Sequence, residues 1–109
     1  MSRAKGNIAE DNACKFLLDN NYMIIERNFY SRFGEIDIIA TKDKVLHFIE
    51  VKSGIDYEVA IQNLTKTKLS RFIRTCDVYL KKNFYDLDYM IDAIIVTPDD
   101  IVMVENITL

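Results

Sequence analysis

Two acidic residues lie inside strongly apolar stretches of this 109-residue sequence. Asp37 interrupts the run at residues 36–39, and Glu50 interrupts the run at residues 48–51, with Lys52 two positions further on. A carboxylate in apolar surroundings is costly and tends to protonate unless a cation meets it. One divalent cation meets two carboxylates at once, so this pattern indicates a metal site.

The expected chemistry is hydrolysis of a phosphodiester. Oxygen ligands from Asp37 and Glu50 suit Mg²⁺ or Mn²⁺, with water and a substrate phosphate completing the shell. Such an ion lowers the pKa of bound water and neutralises charge on a phosphoryl oxygen. Lys52 would orient that water or stabilise the pentacovalent phosphorus, and Glu10 would hold a second ion or the water. This chemistry needs no organic cofactor.

A helix over residues 6–20 is predicted to carry Glu10. At about 100° per residue, Ala9, Ala13 and Leu17 fall on one apolar stripe, and Glu10 projects at its border. The small alanines would let this helix lie close to a sheet. Taken alone, Glu10 is more often a solvated helix residue; its border position favours a site role.

Three strands with short connections, at residues 22–31, 35–41 and 45–52, predict an antiparallel meander. Because successive side chains of a strand alternate in direction, Glu50 and Lys52 share a face. Asp37 would lie on the neighbouring strand of the hairpin. The three side chains are therefore expected to converge at one end of the sheet. The following residues, 55–64, show no regular pattern.

A long amphipathic helix is predicted over residues 65–83, followed by strands at 89–98 and 101–107. The element order αβββαββ predicts an α/β (α+β) fold in which helices flank a mixed central sheet. Length and composition fit one domain over residues 1–109.

Basic residues are concentrated in the long helix. The chain has a net charge of −3, yet residues 65–82 contain six basic residues and one acidic residue. This helix is therefore either a solvated surface or a face that contacts phosphate groups. The expected contacts are Lys68, Arg71 and Arg74. Arg27, Arg32 and Tyr30, near the first hairpin, would add a basic and aromatic rim.

Several functional classes are disfavoured by composition. One histidine and two cysteines are too few for a zinc cluster, and no Ser-His-Asp or Cys-His site is expected from the single His47. By strand parity His47 faces away from Glu50 and is expected to be packed or half-exposed, not a ligand. The N-terminus lacks an apolar signal region and no run reaches membrane-spanning length, so a cytoplasmic protein with reduced Cys14 and Cys76 is expected.

Five stretches together resemble a known family. They are "GNIAEDNA", "ERNF", "FGEIDIIA", "FIEVK" and "TKTKLSRF". In these motifs, and across nearly the whole chain, the sequence is similar to the YraN-like family of small bacterial predicted endonucleases. The spacing of Asp37 from Glu50-Val51-Lys52 also resembles the degenerate PD-(D/E)xK signature of restriction-endonuclease-like nucleases, a superfamily that includes the archaeal Holliday-junction resolvases.

That resemblance implies an αβββαβ core and a Mg²⁺- or Mn²⁺-dependent endonuclease acting on DNA that is branched, structured or single-stranded. Glu10, Asp37, Glu50 and Lys52 would occupy active-site positions, and Glu35 would stand beside them. The backbone carbonyl of Val51 would be a further metal ligand. Since the resolvases act as symmetric pairs, a homodimer is also implied.

The sequence departs from the family pattern at three positions. Ile36 replaces the proline of the generic signature, Gly54 stands where an arginine often follows, and Leu69 stands where glutamine is usual. The loss of polar groups at the last two would weaken substrate binding or the chemistry.

Two non-catalytic hypotheses remain beside the nuclease. The fold would serve as a nucleic-acid-binding module, or as a subunit that binds another protein. Glu50 and Lys52 would then be an ordinary surface ion pair, which contributes little to stability.

Overall fold

A computed structural model describes residues 5–83 and 86–108, with side chains from residue 8 onward. Residues 1–4, 84, 85 and 109, which the predicted single domain includes, lie outside the described residues. The elements in chain order are α1 (Lys5–Asp19), β1 (Met23–Ser31), β2 (Gly34–Lys42), β3 (Val45–Ser53), α2 (Tyr57–Ile61), α3 (Lys66–Asn83), β4 (Asp88–Val96) and β5 (Ile101–Val104). Each element that the sequence predicts is present.

The strands form one five-stranded sheet in the order β1-β2-β3-β4-β5. Strands β3 and β4 run parallel, and the other neighbouring pairs are antiparallel. The β2–β3 hairpin turns at Asp43 and Lys44, both at positive φ (51° and 65°), which matches the right-handed twist of its strands. The prediction of a mixed sheet flanked by helices is therefore confirmed.

The sheet divides into two branches between β2 and β3. The two strands pair from Lys42–Val45 as far as Ile38–Ile49. Beyond that point, among the described residues, the start of β2 pairs only with β1 and the end of β3 pairs only with β4. We call this divergence the fork. Asp37 and Glu50 are the first residues inside it.

Helices cover both faces of the sheet. The first core forms where α1 packs Ala13 and Leu17 against Ile38 and Ile49. The second core forms where α3 packs Phe72 and other side chains against the opposite face. Small side chains on α1 permit this close approach, as the helical stripe predicted. The helices are thus fixed on either side of the fork.

Strand β1 changes the direction of its side chains at Asn28, whose φ is +57°. Arg27 reaches Asp11 on α1. Phe29, two residues later, instead makes an edge-to-face contact with Tyr79 on α3, with ring centroids 5.0 Å apart. In a regular strand these two side chains would share a face. Asparagine tolerates this left-handed conformation better than most residues.

One segment predicted to be irregular and two predicted strand ends need correction. Residues 55–64 contain the short helix α2, whose first turn is capped by Asp56: its Oδ1 accepts a hydrogen bond from Val59 N at 2.9 Å. Strand β4 ends at Val96, because residues 97–100 form a turn. Strand β5 ends at Val104, since Asn106 (φ 56°) turns the chain and Ile107 N donates to Ile91 O at 2.8 Å.

None of the helices in the described part of the chain combines the length and apolar character needed to cross a membrane. Cys14 and Cys76 are both free and buried.

Candidate metal and nucleic-acid site

Three carboxylates meet beside the fork. Glu10 comes from α1, and Glu35 and Asp37 come from β2; one oxygen from each lies within 4.8 Å of the other two. We call this group the carboxylate cluster. Glu10 and Asp37 are each only 8% exposed, whereas Glu35 is half-buried. Three acids this close, two of them buried, repel one another unless protons or cations intervene.

Two side chains of β1 hold the cluster together. With its amide nitrogen turned toward the acids, Asn28 donates to Glu10 Oε1 at 3.0 Å and to Glu35 Oε2 at 3.2 Å. The guanidinium of Arg27 lies 3.5 Å from Glu10 and 2.9 Å from Asp11. Burial and the nearby Glu35 raise the pKa of Glu10, and Arg27 partly offsets that rise. The change of direction at Asn28 is what brings its amide to these acids.

Asp37 lies at the point where the strands separate. Its Oδ2 accepts a hydrogen bond from Val51 N at 2.8 Å, which satisfies a backbone donor just inside the fork. Burial, followed by repulsion from Glu50, raises the pKa of Asp37 to about 8, although the Val51 bond acts in the opposite direction. This carboxyl group is therefore largely protonated at neutral pH when no cation is bound.

Glu50 and Lys52 form an ion pair on the other branch of the fork. Lys52 Nζ lies 3.2 Å from Glu50 Oε1, and both side chains are about one-fifth exposed. Burial raises the pKa of Glu50, and Lys52 lowers it in part. Glu50 is not one of the three acids of the carboxylate cluster, but it faces Asp37 closely enough to be a leading cause of the shift in that residue's pKa.

A cleft of about 210 Å³ opens over these acids. Glu35, Asp37 and Glu50 line one part of it, and the exposed Lys68 and Arg71 of α3 line another. Lys68 also contributes a favourable interaction with Glu50. Three acidic and two basic side chains therefore share one concavity.

The donor set suits a hard divalent cation. Mg²⁺ and Mn²⁺ prefer carboxylate oxygens to the nitrogen and sulfur ligands of zinc. Glu10, Glu35 and Asp37 provide three such oxygens within bridging distance of one another. Burial and the nearby Glu50 raise the pKa of Asp37, so its ionised form is costly here and a bound cation would offset that cost. These residues therefore fit the ion that the sequence predicts.

The structure brings together Glu10, Asp37, Glu50 and Lys52, as the sequence predicted, but arranges them differently. Asp37 clusters with Glu10 and Glu35, while Glu50 pairs with Lys52. The observed link between Asp37 and Val51 uses the backbone N–H of Val51. Coordination by the carbonyl of Val51 stays a prediction.

Sequence reasoning missed Asn28 and left the role of Glu35 open. The available signal for Asn28 was an asparagine between charged and aromatic residues in a strand, a residue type suited to an irregular backbone. Arg27, expected on an exposed rim, instead lies against the acids of α1. Lys68, Arg71 and Arg74 are all exposed on α3.

His47 lies away from this site, as strand parity indicated. Its Nδ1 shares a hydrogen bond of 2.5 Å with Oδ2 of Asp92, and both side chains are buried. The other oxygen of Asp92 accepts from Asn106 N at 2.8 Å. This second acid is thus fully engaged by partners within the protein.

The fold and the site define a small α/β protein with a carboxylate cluster at a divided mixed sheet. The chain belongs to the uncharacterised protein family UPF0102, whose model matches residues 9–96. It is 69% identical over 109 residues to a UPF0102 protein of Sulfurimonas denitrificans, covering 100% of both chains. It is 53% identical over 110 residues to one of Aliarcobacter butzleri, again covering 100% of both, and 51% identical over 109 residues to one of Wolinella succinogenes, with the same coverage. This assignment confirms the resemblance to the YraN-like family, whereas membership of the PD-(D/E)xK nuclease superfamily stays a prediction.

Proposed function

We propose that this protein is a metal-dependent endonuclease that hydrolyses DNA phosphodiester bonds. The observation that carries the proposal is the group of three acidic oxygens within 4.8 Å at Glu10, Glu35 and Asp37, beside the Glu50–Lys52 pair. Two of these acids are buried at a cost to the fold, and structure alone gives no reason for placing them together. A hydrolytic site that binds a cation would provide that reason.

Mg²⁺ or Mn²⁺ would be held by Glu10, Glu35 and Asp37, with Glu50 and the carbonyl of Val51 as further candidate ligands. The ion would supply Lewis-acid stabilisation of the phosphate and a bound water of lowered pKa.

Within this proposal, the side chains of the fork have separate tasks. Lys52, held by Glu50 at 3.2 Å, positions the attacking water or stabilises the phosphorane. Asp37 is fixed by its bond from Val51, so its free oxygen points in a constant direction. Asn28 orients Glu10 and Glu35 through its amide.

The positive face of α3 would bind the DNA backbone. Lys68 and Arg71 are one helical turn apart and line the cleft beside the acids. Arg74 extends the same stripe by a further three residues. Cations placed in this way would draw a phosphate into the cleft and counter its repulsion from the acids.

The resemblance to PD-(D/E)xK nucleases supports the reaction, and the relation to resolvases supports branched or structured DNA and a homodimeric protein. The αβββαβ part of the element order is also that of the restriction-endonuclease-like core. Gly54 and Leu69 remain departures from the usual polar residues.

Metal binding is tested by calorimetric titration of Mn²⁺ into wild type and Asp37→Asn. The variant keeps an acceptor for Val51 N but removes one negative ligand, so we expect binding to weaken at least about tenfold. Asp99→Asn, in the exposed β4–β5 turn, is the matched control and should bind as wild type does. Equal affinity in wild type and Asp37→Asn would exclude the cluster as the metal site.

Cleavage is tested on single-stranded, duplex and four-way DNA with Mg²⁺ or Mn²⁺. We expect Glu50→Ala and Asp37→Asn each to lower the rate by about 100- to 1,000-fold, the range for losing one electrostatic stabiliser of a transition state. Cutting by Glu50→Ala at the wild-type rate would assign the activity to a contaminant.

The DNA-binding face is tested separately with Lys68→Gln. Loss of one phosphate contact should weaken binding to every sequence similarly and reduce the salt dependence by about one ion. Lys81→Gln, an exposed lysine further along α3, should leave binding unchanged. Salt-dependent binding without cleavage in any metal would favour the non-catalytic binding module over the nuclease.

A further inference from the structure

The turn between β1 and β2 presents an aromatic ring with two guanidinium groups. Phe33 is only partly buried, and the guanidinium carbons of Arg32 and Arg74 lie 4.8 Å and 5.5 Å from its ring centroid. Arg32 belongs to the turn, whereas Arg74 comes from α3. We call these three residues the Phe33 platform. Both guanidinium groups lie over the ring, so a base that stacks here takes the place of one of them on Phe33 or stacks on its guanidinium plane.

The turn that carries the platform is held against α3. Ser31 Oγ lies 2.9 Å from Thr75 Oγ1 and accepts a hydrogen bond from Phe33 N at 3.0 Å. Gly34 follows with φ of 154°, where a built Cβ would lie 3.7 Å from Thr75 Oγ1. Because its backbone is already fixed, the ring loses little conformational freedom when a ligand stacks on it.

The platform adjoins the candidate active site. Phe33 and Gly34 line the same cleft as Asp37 and Glu50. Tyr30, 69% exposed, is the cross-strand partner of Glu35 of the carboxylate cluster. A group bound at the platform would therefore lie next to a phosphate bound over the acids.

We propose that the Phe33 platform is a stacking site for one unpaired nucleobase, so the preferred substrate is DNA with an unpaired nucleotide beside the phosphate to be cleaved. A base inside a duplex is stacked on both faces and has none free for Phe33. The site has an aromatic face and cations, a combination that accepts any base and binds its phosphate. The proposal rests on the proposed nuclease function, because that function places the DNA backbone in the cleft.

The test compares two DNA ligands in EDTA, which prevents cleavage and leaves the α3 contacts to phosphate intact. One is a blunt duplex, and the other carries a short single-stranded extension with 2-aminopurine at the junction. Wild type should bind the extended duplex more tightly by about 5- to 150-fold, the range for one base stacked on an aromatic side chain, and should quench its fluorescence.

Three variants define the cause. Phe33→Leu retains an apolar side chain but loses the π-face, so it should bind both ligands equally and leave the fluorescence unchanged. Phe33→Trp should restore the preference. Tyr89→Leu removes another exposed aromatic residue, outside the lining of the cleft, and should behave as wild type. Thermal melts verify that each variant is folded.

The outcomes separate this inference from the proposed function. Equal binding of the two ligands by wild type, or an undiminished preference in folded Phe33→Leu, would overturn the stacking site while the metal-dependent cleavage assay stands independently. Absence of DNA binding by wild type in EDTA would also overturn the stacking site, and absence of cleavage in the metal-containing assay would overturn the proposed function.

Discussion

Two buried aspartates on the same sheet have opposite surroundings. Asp92, fully buried on β4, shares one oxygen with His47 and receives Asn106 N on the other. Asp37, 8% exposed on β2, receives Val51 N but otherwise faces Glu10, Glu35 and Glu50. The first acid is matched by partners that stabilise the fold. The second is surrounded by like charge, which costs stability and which the proposed cation site would explain.

The largest expected effect comes from removing the side chain of Asp92, the acid whose partners stabilise the fold. Asp92→Ala leaves His47 buried without a partner and removes the acceptor of Asn106 N, and should lower the free energy of unfolding by about 3–5 kcal/mol. Urea denaturation measures this loss. In the fraction that remains folded, Mn²⁺ affinity should not change. A loss below about 1 kcal/mol would mean that the pair contributes little more than a typical hydrogen bond.

Neutralising Asp37 should change the free energy of unfolding in the opposite direction from the loss of Asp92. Asp37→Asn removes a repelled charge and keeps an acceptor for Val51 N, so without metal it should raise the free energy of unfolding by about 1–4 kcal/mol at pH 8. Denaturation in EDTA measures the gain, and saturating Mn²⁺ should favour wild type instead. Destabilisation by Asp37→Asn in EDTA would contradict the contrast between the two acids.

Adding a fourth carboxylate to the carboxylate cluster should lower stability. Asn28→Asp replaces a donor to Glu10 and Glu35 with a fourth carboxylate, and should lower the metal-free free energy of unfolding by about 1–3 kcal/mol. Asn106→Asp is the matched control, since Asn106 also has positive φ but is exposed. Its Oδ1 accepts a hydrogen bond from Thr108 Oγ1, a role that aspartate can keep. Thermal melts of both variants in EDTA and Mn²⁺ provide the comparison; equal losses would point to backbone strain.

The smallest expected effect, counted per pH unit, is the change in metal-free stability with pH. The pKa of Asp37 is raised from 3.8 to about 8 in the folded chain, so between these values the folded state holds the proton more often than the unfolded state does. Asp37 therefore contributes favourably to stability below its unfolded-state pKa. This contribution is lost as the pH rises through its folded-state pKa. Metal-free stability should fall by up to about 1.4 kcal/mol per pH unit, and Asp37→Asn should flatten this slope.

Apolar periodicity predicted most of the fold, because a buried helical stripe or strand face produces a regular spacing of apolar residues within a short segment. Ala13 and Leu17 on α1 and the alternation along β3 are examples. Helix α2 was missed because a five-residue helix has too few turns for a periodic pattern. Its cap, Asp56, was visible in the sequence but is not distinctive alone.

The candidate site was predicted in composition but not in arrangement. Strand parity placed Asp37 near Glu50 because the argument is local to one hairpin. It could not reveal the fork or the reversal at Asn28, since both depend on which strands remain paired and on a single positive φ. The joining of Glu35 to Glu10 follows from these irregularities and from the docking of α1.

The hydrogen bond from Val51 N to Asp37 makes hydrogen exchange at this amide sensitive to the state of the Asp37 carboxyl group. This amide has its acceptor in the side chain that would also hold a cation, so its hydrogen exchange follows how firmly that carboxyl group is anchored. An ion bridging α1 and β2 would fasten the helix to the tip of the hairpin and slow that exchange. A single backbone amide thus offers a spectroscopic measure of occupancy, even with no nucleic acid present.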